Sequence, residues 1–171
     1  RTLQRVRFEF FGRAYDWSVQ KREVRYGDSE SGVVIDLARR VCPPSLQSRV
    51  ISDSECKRAI RRWNNDSFWL HPFGKVFDPG VERYACRVDD EPAPWLCVHF
   101  SQGGHTPGDL YAIRIGADGR PNAWRMWVSI LPIGGLSTAW EDWRQLPGGA
   151  WFAQDRRILG VTLPMKIISV Q

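Results

Sequence analysis

The segment with the most chemically active side chains runs from His99 to Asp109 and reads His-Phe-Ser-Gln-Gly-Gly-His-Thr-Pro-Gly-Asp. It places two imidazoles, His99 and His105, near the Ser101 hydroxyl and the Asp109 carboxylate. Two histidines can act as general acid and general base on a phosphodiester, with an arginine holding the phosphate. The side chains of His99, His105 and Asp109 also suit a metal site.

The same segment has a structural interpretation, in which its glycines form a turn and His105 is solvated. It contains none of the motifs G-x-S-x-G, H-E-x-x-H or the P-loop, and its spacing matches no metal motif. We therefore expect no catalysis, no bound metal and no cofactor. His99, Ser101, His105 and Asp109 remain the residues of an alternative, catalytic interpretation.

The four cysteines, at positions 42, 56, 86 and 97, include no C-x-x-C pair, which leaves zinc fingers and thioredoxin-like motifs unsupported. Sequential pairing, Cys42 with Cys56 and Cys86 with Cys97, closes two short loops, each worth about 3 kcal/mol in the chain-entropy model. The alternative is four buried thiols. Disulfides would indicate the periplasm or the cell exterior.

Arginine dominates the positive charge. The chain has 24 basic and 19 acidic residues, a net charge of +5, and 20 arginines against 4 lysines. Arginine pairs stand at Arg39-Arg40, Arg61-Arg62 and Arg156-Arg157. Interleaved with tryptophan, such pairs can form a groove for single-stranded nucleic acid, but solvated surface is their commoner role. The sequence therefore allows DNA as a partner without predicting it.

The first segment carries two competing periodicities. Apolar residues alternate over Val6–Phe10, as in a strand, and a longer helical arc runs over about four turns. The longer pattern predicts an amphipathic helix over about residues 2–20, although Gly12 costs about 1 kcal/mol there. Phe8, Phe11 and Tyr15 would form a second aromatic flank, which is a candidate interaction face if it is exposed.

A second helix is predicted over Ser52–Trp63, because Ser52 or Asp53 can cap it and Glu55 completes a capping box. The range 64–81 is expected to be an ordered irregular stretch, and Ser137–Arg144 a short helical turn. Strands are predicted at Tyr84–Asp89, Trp95–Phe100, Leu110–Ile115, Trp124–Ile130 and Leu159–Ser169. Asp118-Gly119 marks a hairpin turn between the third and the fourth of them.

These elements predict one α+β domain spanning residues 1–171, with the N-terminal amphipathic helix packed on an antiparallel β-meander. A helical and irregular insert would occupy about 29–83 and the sheet about 84–171. No apolar run is long enough to span a membrane. The chain begins at Arg1 without Met, so we expect that a segment was removed by processing or trimming, which leaves room upstream for a targeting or anchoring sequence.

Three segments resemble the globular part of a minor pilin or pseudopilin, the subunits of type IV pili and type II secretion systems. Arg5–Tyr26 resembles the second half of the pilin helix running into the first strand. Leu110–Arg120 resembles a hairpin of the pilin sheet. Trp143–Gly149 resembles the tryptophan and Leu-Pro-Gly segment that precedes a late strand. The resemblance covers about a third of the chain.

The resemblance implies a non-catalytic assembly subunit in the periplasm or outside a bacterial cell. Its partners would be other protein subunits of an envelope or filament assembly. Contact with the membrane would come only through an N-terminal helix that this chain lacks. The alternative is a small secreted basic hydrolase or nuclease-like effector that uses His99, His105 and Asp109. A DNA-binding module is a third possibility.

Overall fold

The protein is mainly β in a computed structural model that describes residues 3–28, 31–43, 50–102, 107–147 and 149–171. Of these residues, 46% lie in strands and 14% in helices. The elements are β1 (Arg5–Phe10), β2 (Arg13–Ser18), β3 (Glu23–Tyr26), β4 (Val33–Asp36), α1 (Asp53–Leu70), a 3₁₀ helix (Pro72–Lys75), β5 (Val81–Cys86), β6 (Trp95–Phe100), β7 (Leu110–Ile115), β8 (Pro121–Trp127), β9 (Leu136–Gln145), β10 (Trp151–Ile158), β11 (Val161–Thr162) and β12 (Met165–Val170). The predicted α+β class with an N-terminal helix is therefore wrong.

The strands form two antiparallel sheets. One has the order β12-β1-β2-β3-β4, and the other has the order β11-β10-β9-β8-β7-β6-β5. The chain makes two compact units. Unit 1 contains Arg1–His71, Trp143–Gln154 and Pro164–Gln171, and unit 2 contains Pro72–Asp142 and Asp155–Leu163. No helix in the described ranges is long and apolar enough to cross a membrane.

The segment predicted as a helix over about 2–20 forms the β1–β2 hairpin instead, in the part described from residue 3. Val6, Phe8 and Phe10 are buried on one face of β1, as the shorter period-two pattern indicates. The turn between the strands holds Phe11 at φ 48° and Gly12 at φ 71°. Glycine adopts a positive φ readily, so the residue that was unfavourable in the helix is favourable in the hairpin.

In unit 1, helix α1 packs on the inner face of the five-stranded sheet. The Trp63 ring lies 6.2 Å from Phe8, 5.9 Å from Tyr15 and 5.5 Å from Trp17, measured between ring centroids. Aromatic pairs at such distances contribute about 0.5–1.5 kcal/mol beyond the burial of their area. The indole of Trp63 therefore fastens α1 to β1 and β2.

A buried carboxylate adds direction to this contact. Asp66 on α1 is 1% exposed. Its Oδ2 accepts hydrogen bonds from Arg13 Nε at 2.7 Å and from the Tyr15 hydroxyl at 2.5 Å, and its Oδ1 accepts one from Arg13 Nη2 at 3.1 Å. Burial, followed by the hydrogen bond to Asp66, raises the pKa of Tyr15. Two side chains of β2 thus fix α1 against the sheet.

The predicted start of α1 is confirmed, because Ser52 is the N-cap and its side chain accepts a hydrogen bond from the Glu55 backbone N–H. The helix continues to Leu70, past the predicted end at Trp63. Helical spacing brings Asp66 and Leu70, like Trp63, to the sheet side, where they are buried. The prediction of an irregular stretch from residue 64 is wrong over these residues.

Unit 2 carries most of a seven-stranded meander, in which neighbouring strands from β5 to β9 pair antiparallel, as do β10 and β11. The hairpin turn predicted at Asp118-Gly119 is confirmed between β7 and β8. The helical turn predicted over Ser137–Arg144 is wrong, since these residues lie in β9. Burial alternates over 136–140, the first half of β9, as in a strand with one face in the core.

Both predicted disulfides are present. Cys42 bonds to Cys56 with their Cα atoms 5.7 Å apart, and Cys86 bonds to Cys97 across β5 and β6 with a Cα separation of 5.8 Å. The sequential pairing is confirmed, and the alternative of four free thiols is wrong. Two disulfides are consistent with a protein located outside the cytoplasm.

Replacing Asp66 by Asn tests the helix attachment. The variant leaves Arg13 charged beside a neutral amide and weakens the acceptor of the Tyr15 hydroxyl. Removing one partner of a buried ion pair typically costs 3–5 kcal/mol. We expect the free energy of unfolding to fall by about 3 kcal/mol, measured by urea unfolding with tryptophan fluorescence.

Asp16→Asn is the matched control. The Asp16 carboxylate binds Arg5 and Arg7 on the opposite, solvent-facing side of the same sheet. Such exposed pairs contribute about 0–1 kcal/mol. Equal losses in the two variants would contradict a special role for Asp66.

Candidate protein interaction surface

Three loops lie at one end of the seven-stranded meander. In an antiparallel meander, successive connections lie at alternating ends of the sheet. The β6–β7, β8–β9 and β10–β11 connections therefore emerge at the same end of unit 2. His99, Ser101 and Asp109 of the sequence-based site lie beside the first of these connections, and therefore at this end.

The β8–β9 connection is unusually apolar for an exposed loop. It reads Val-Ser-Ile-Leu-Pro-Ile-Gly-Gly over residues 128–135. Ile130 is 71% exposed, Ile133 is 63% exposed, and Leu131 is exposed as well. Contiguous exposed apolar side chains on a soluble domain are typical of an interaction site.

The base of this loop is held by a buried carboxylate. Asp109 Oδ1 accepts hydrogen bonds from Ser129 N at 2.9 Å and Ser129 Oγ at 3.3 Å, and Oδ2 accepts one from the Tyr111 hydroxyl at 3.3 Å. Burial, and next the Asp109 charge, raise the pKa of Tyr111. The loop is therefore tied to β7 at its first turn.

The far end of the loop lies against an indole. A Cβ atom added to Gly134 would stand 2.5 Å from Trp127 Cδ1, which is closer than two non-bonded carbon atoms approach. Gly135 adopts φ 71°, and its carbonyl accepts a hydrogen bond from Arg125 Nη1 at 3.1 Å. The two glycines let the backbone of the loop lie against the Trp127 ring. Ile130 and Ile133 of the same loop remain exposed to solvent.

The β10–β11 hairpin adds two further apolar side chains at this end. Leu159 is 67% exposed and Val161 is similarly exposed, and the Leu159 N–H donates to Ser137 O at 2.9 Å. Leu159 has φ 49°, a conformation that asparagine, aspartate or glycine adopts at lower cost. A strained backbone that carries an exposed leucine points to a role for that side chain outside the fold.

We refer to Ile130, Leu131, Ile133, Leu159 and Val161 together as the apolar end of unit 2. The sequence pattern does not reveal this end, because alternation over 124–130 predicts a strand that continues through Ile130. The strand ends at Trp127 instead. The signal that was available is the Gly-Gly pair after a Pro, which breaks a strand and marks a loop.

The residues of the catalytic interpretation do not converge where they are described. His99 pairs with Leu110 across β6 and β7, so the side chain of Asp109, one residue earlier, points to the other face of the sheet. His99 Nδ1 lies 3.2 Å from Glu82 Oε2, and Ser101 Oγ donates to Gly80 O at 3.0 Å. His105 lies outside the described residues.

The aromatic face expected at Phe8, Phe11 and Tyr15 does not form. Phe8 and Tyr15 are buried beneath α1, their rings stacked at 4.7 Å, and Phe11 is exposed in the β1–β2 turn. Helical spacing would place the three rings on one flank, whereas Phe8 and Tyr15 lie in paired strands and Phe11 lies in the turn between them.

Within the described ranges, no three His, Cys, Asp or Glu side chains are grouped so that they could hold a metal ion.

Comparison with protein-family models, with curated proteins and with solved structures found no match to this chain.

Asp109→Asn tests how the apolar loop is held. The amide offers the Ser129 donors a neutral oxygen in place of a charged one, and hydrogen bonds to charged groups contribute about 1.5–3 kcal/mol. We expect the Ser129 backbone N–H to exchange with solvent at least about 10-fold faster. Hydrogen exchange read by NMR or mass spectrometry measures this rate.

The matched control is Asp118→Asn, at the other end of β7. Asp118 Oδ1 accepts from the Arg120 N–H in an exposed turn. This change should leave the exchange of Ser129 unaltered. Unchanged exchange in Asp109→Asn would show that the carboxylate does not hold the loop.

Proposed function

We propose that this chain is a non-catalytic interaction subunit that acts in the periplasm or outside the cell. The observation that carries the proposal is the apolar end of unit 2, where exposed aliphatic side chains stand on loops held by Asp109 and Trp127. Burying Ile130, Ile133 and Leu159 against a partner would be favourable by about 1.5–3 kcal/mol for each fully buried side chain. Rigid loops lose little entropy on binding.

The compartment in this proposal follows from the two disulfides. Such bonds persist in oxidising environments and are rare in the cytosol. Cys86–Cys97 joins neighbouring strands of unit 2, the unit that carries the apolar end. The sheet that supports the loops is therefore cross-linked in the environment where we place the protein.

The specific assembly we propose is of the minor pilin or pseudopilin kind, with other envelope subunits as partners. Its support is the resemblance of Leu110–Arg120, which covers β7 and the turn into β8, and of Trp143–Gly149, which precedes β10. Arg5–Tyr26 gives no support, because it forms strands where the resemblance implied a helix. The proposal therefore keeps the assembly role and omits that helix.

Site-specific photo-crosslinking in cells that produce the protein tests this function. A benzophenone amino acid at Ile133 should yield a discrete adduct with a protein of the envelope assembly, because a side chain at the interface lies within reach of the partner. The same amino acid at Ala117, exposed at the opposite end of the sheet, is the control. Adducts are read on denaturing gels and identified by mass spectrometry.

A second variant shows whether the contact is apolar. The double change Ile130→Asp and Ile133→Asp should abolish assembly while leaving thermal unfolding within a few degrees, since both side chains are exposed. An Ile133 adduct no stronger than that at Ala117, or full assembly of the double variant, would overturn the proposed function.

A further inference from the structure

The net charge of the protein is concentrated in one unit. The segments of unit 1 contain 16 basic and 9 acidic residues, a net charge of +7, and those of unit 2 contain 8 basic and 10 acidic residues, a net charge of −2. Such an asymmetry is typical of chains with a polyanionic partner. The overall net charge of +5 is mild, but unit 1 taken by itself is strongly basic.

Within unit 1, the solvent-facing side of α1 carries four positive charges. Lys57, Arg58, Arg61 and Arg62 are all exposed and stand in two columns four residues apart. We call them the helix stripe. Successive members of a column are separated by about 6 Å along the axis. In the described part of the chain, Lys57, Arg58 and Arg61 form no ion pair with a carboxylate, so their charge is available to a ligand.

A second basic group lies at two neighbouring turns of the same unit. Lys21 and Arg22 precede β3, and Arg39 and Arg40 follow β4; we call these four the turn cluster. The Leu37 N–H donates to Arg22 O at 2.8 Å, which holds the two turns together. Arg39 keeps 82% of its side chain exposed despite a long contact of 3.9 Å with Asp36.

At each of these turns an arginine occupies a backbone conformation that is unfavourable for it. Arg22 and Arg40 adopt φ 54° and 58°. Glycine, asparagine or aspartate reaches this region at lower cost, and a strained non-glycine residue costs of the order of 1–3 kcal/mol. The fold tolerates this cost at both turns while exposing a guanidinium at each of them.

The first disulfide keeps the two basic groups close. Cys42 follows Arg40 by two residues, and Lys57 follows Cys56 directly. The bonded cysteines have Cα atoms 5.7 Å apart, so the Cα atoms of Arg40 and Lys57 lie within about 17 Å of each other at most. The helix stripe and the turn cluster therefore belong to one region of unit 1.

Not all arginine pairs of the sequence join this region. Arg156 is buried in unit 2, where burial lowers its pKa to about 10. Arg157 Nη1 lies 3.1 Å from Glu141 Oε2. Two of the three pairs, at 39–40 and 61–62, are thus directed to solvent on one unit, and the third is occupied within the other unit.

We propose that the helix stripe and the turn cluster bind the phosphate backbone of duplex nucleic acid without reading its sequence. Guanidinium groups bind phosphate oxygens through paired hydrogen bonds. A lipid surface fits less well, because an interfacial helix adds buried apolar area to the attraction between basic residues and anionic lipids, and the apolar face of α1 is buried on its own sheet. Single strands need free aromatic rings, whereas the hydroxyl and ring of Tyr26 on β3, beside the stripe, are engaged by Arg62.

Binding of a fluorescein-labelled 20-base-pair duplex, followed by anisotropy between about 50 and 200 mM salt, tests this proposal. Each phosphate neutralised contributes about 0.9 to the slope of log Kd against log salt, so the stripe alone should give a slope of about 3–4. Arg58→Gln with Arg61→Gln should lower the slope by about 2. The same change should weaken binding by the order of 100-fold near 50 mM salt.

The matched control removes the same charge from the opposite face of the same sheet. Arg7 and Lys166 project from strands β1 and β12 on the side away from α1, and Arg7→Gln with Lys166→Gln should change affinity by less than about 3-fold. Circular dichroism of both double variants verifies folding. A flat salt response, equal losses in the two variants, or tighter binding to phosphatidylglycerol vesicles than to the duplex would overturn the proposal.

Discussion

The fold of unit 1 depends on one buried charge. A carboxylate removed from water is costly unless hydrogen bonds replace its hydration. Asp66 accepts one such bond from its neighbour Asn65, and the others come from Arg13 and Tyr15. Both of these residues lie on β2, so the requirement selects one position and one rotation for α1. The rotation that buries Asp66 and Trp63 is the same one that turns Arg58 and Arg61 to solvent. The basic surface is thus a geometric consequence of the buried ion pair.

Unit 2 also contains a buried carboxylate, which holds a loop and not a helix. Asp109 is also buried and also accepts a hydrogen bond from a tyrosine, Tyr111. Its other oxygen binds Ser129, at the first turn of the apolar loop. In unit 1 the buried carboxylate orients a regular element, whereas in unit 2 it orients an irregular one. In each unit the carboxylate is buried, and the side chains proposed to contact a partner are exposed on the helix or loop that the carboxylate holds.

Local signals in the sequence predicted local features. The Ser52 cap, the Asp118-Gly119 turn and the spacing of the cysteines each act over a few residues, and each prediction is confirmed. The prediction for the first segment was wrong because both the strand period and the helix period fitted it. The strand is selected by pairing with β12, which lies at the other end of the chain. No local pattern contains that pairing. The roles of Asp66 and Asp109 were equally hidden, since acidic residues are rarely buried unless they are paired. Arg13 and Tyr15 are 53 and 51 residues away from Asp66, and Ser129 is 20 residues away from Asp109.

The two proposed surfaces differ in the force that drives binding, and this difference separates them physically. The apolar end belongs to a unit with net charge −2, so burial of aliphatic side chains dominates there and salt screens little of it. The helix stripe belongs to a unit with net charge +7, where release of counterions dominates and salt weakens binding steeply. A partner of the apolar end would therefore be retained in a salt concentration that releases a polyanion from unit 1. Because salt weakens only one of the two proposed contacts steeply, the proposed surfaces would let one chain hold a protein partner firmly while it exchanges nucleic acid readily.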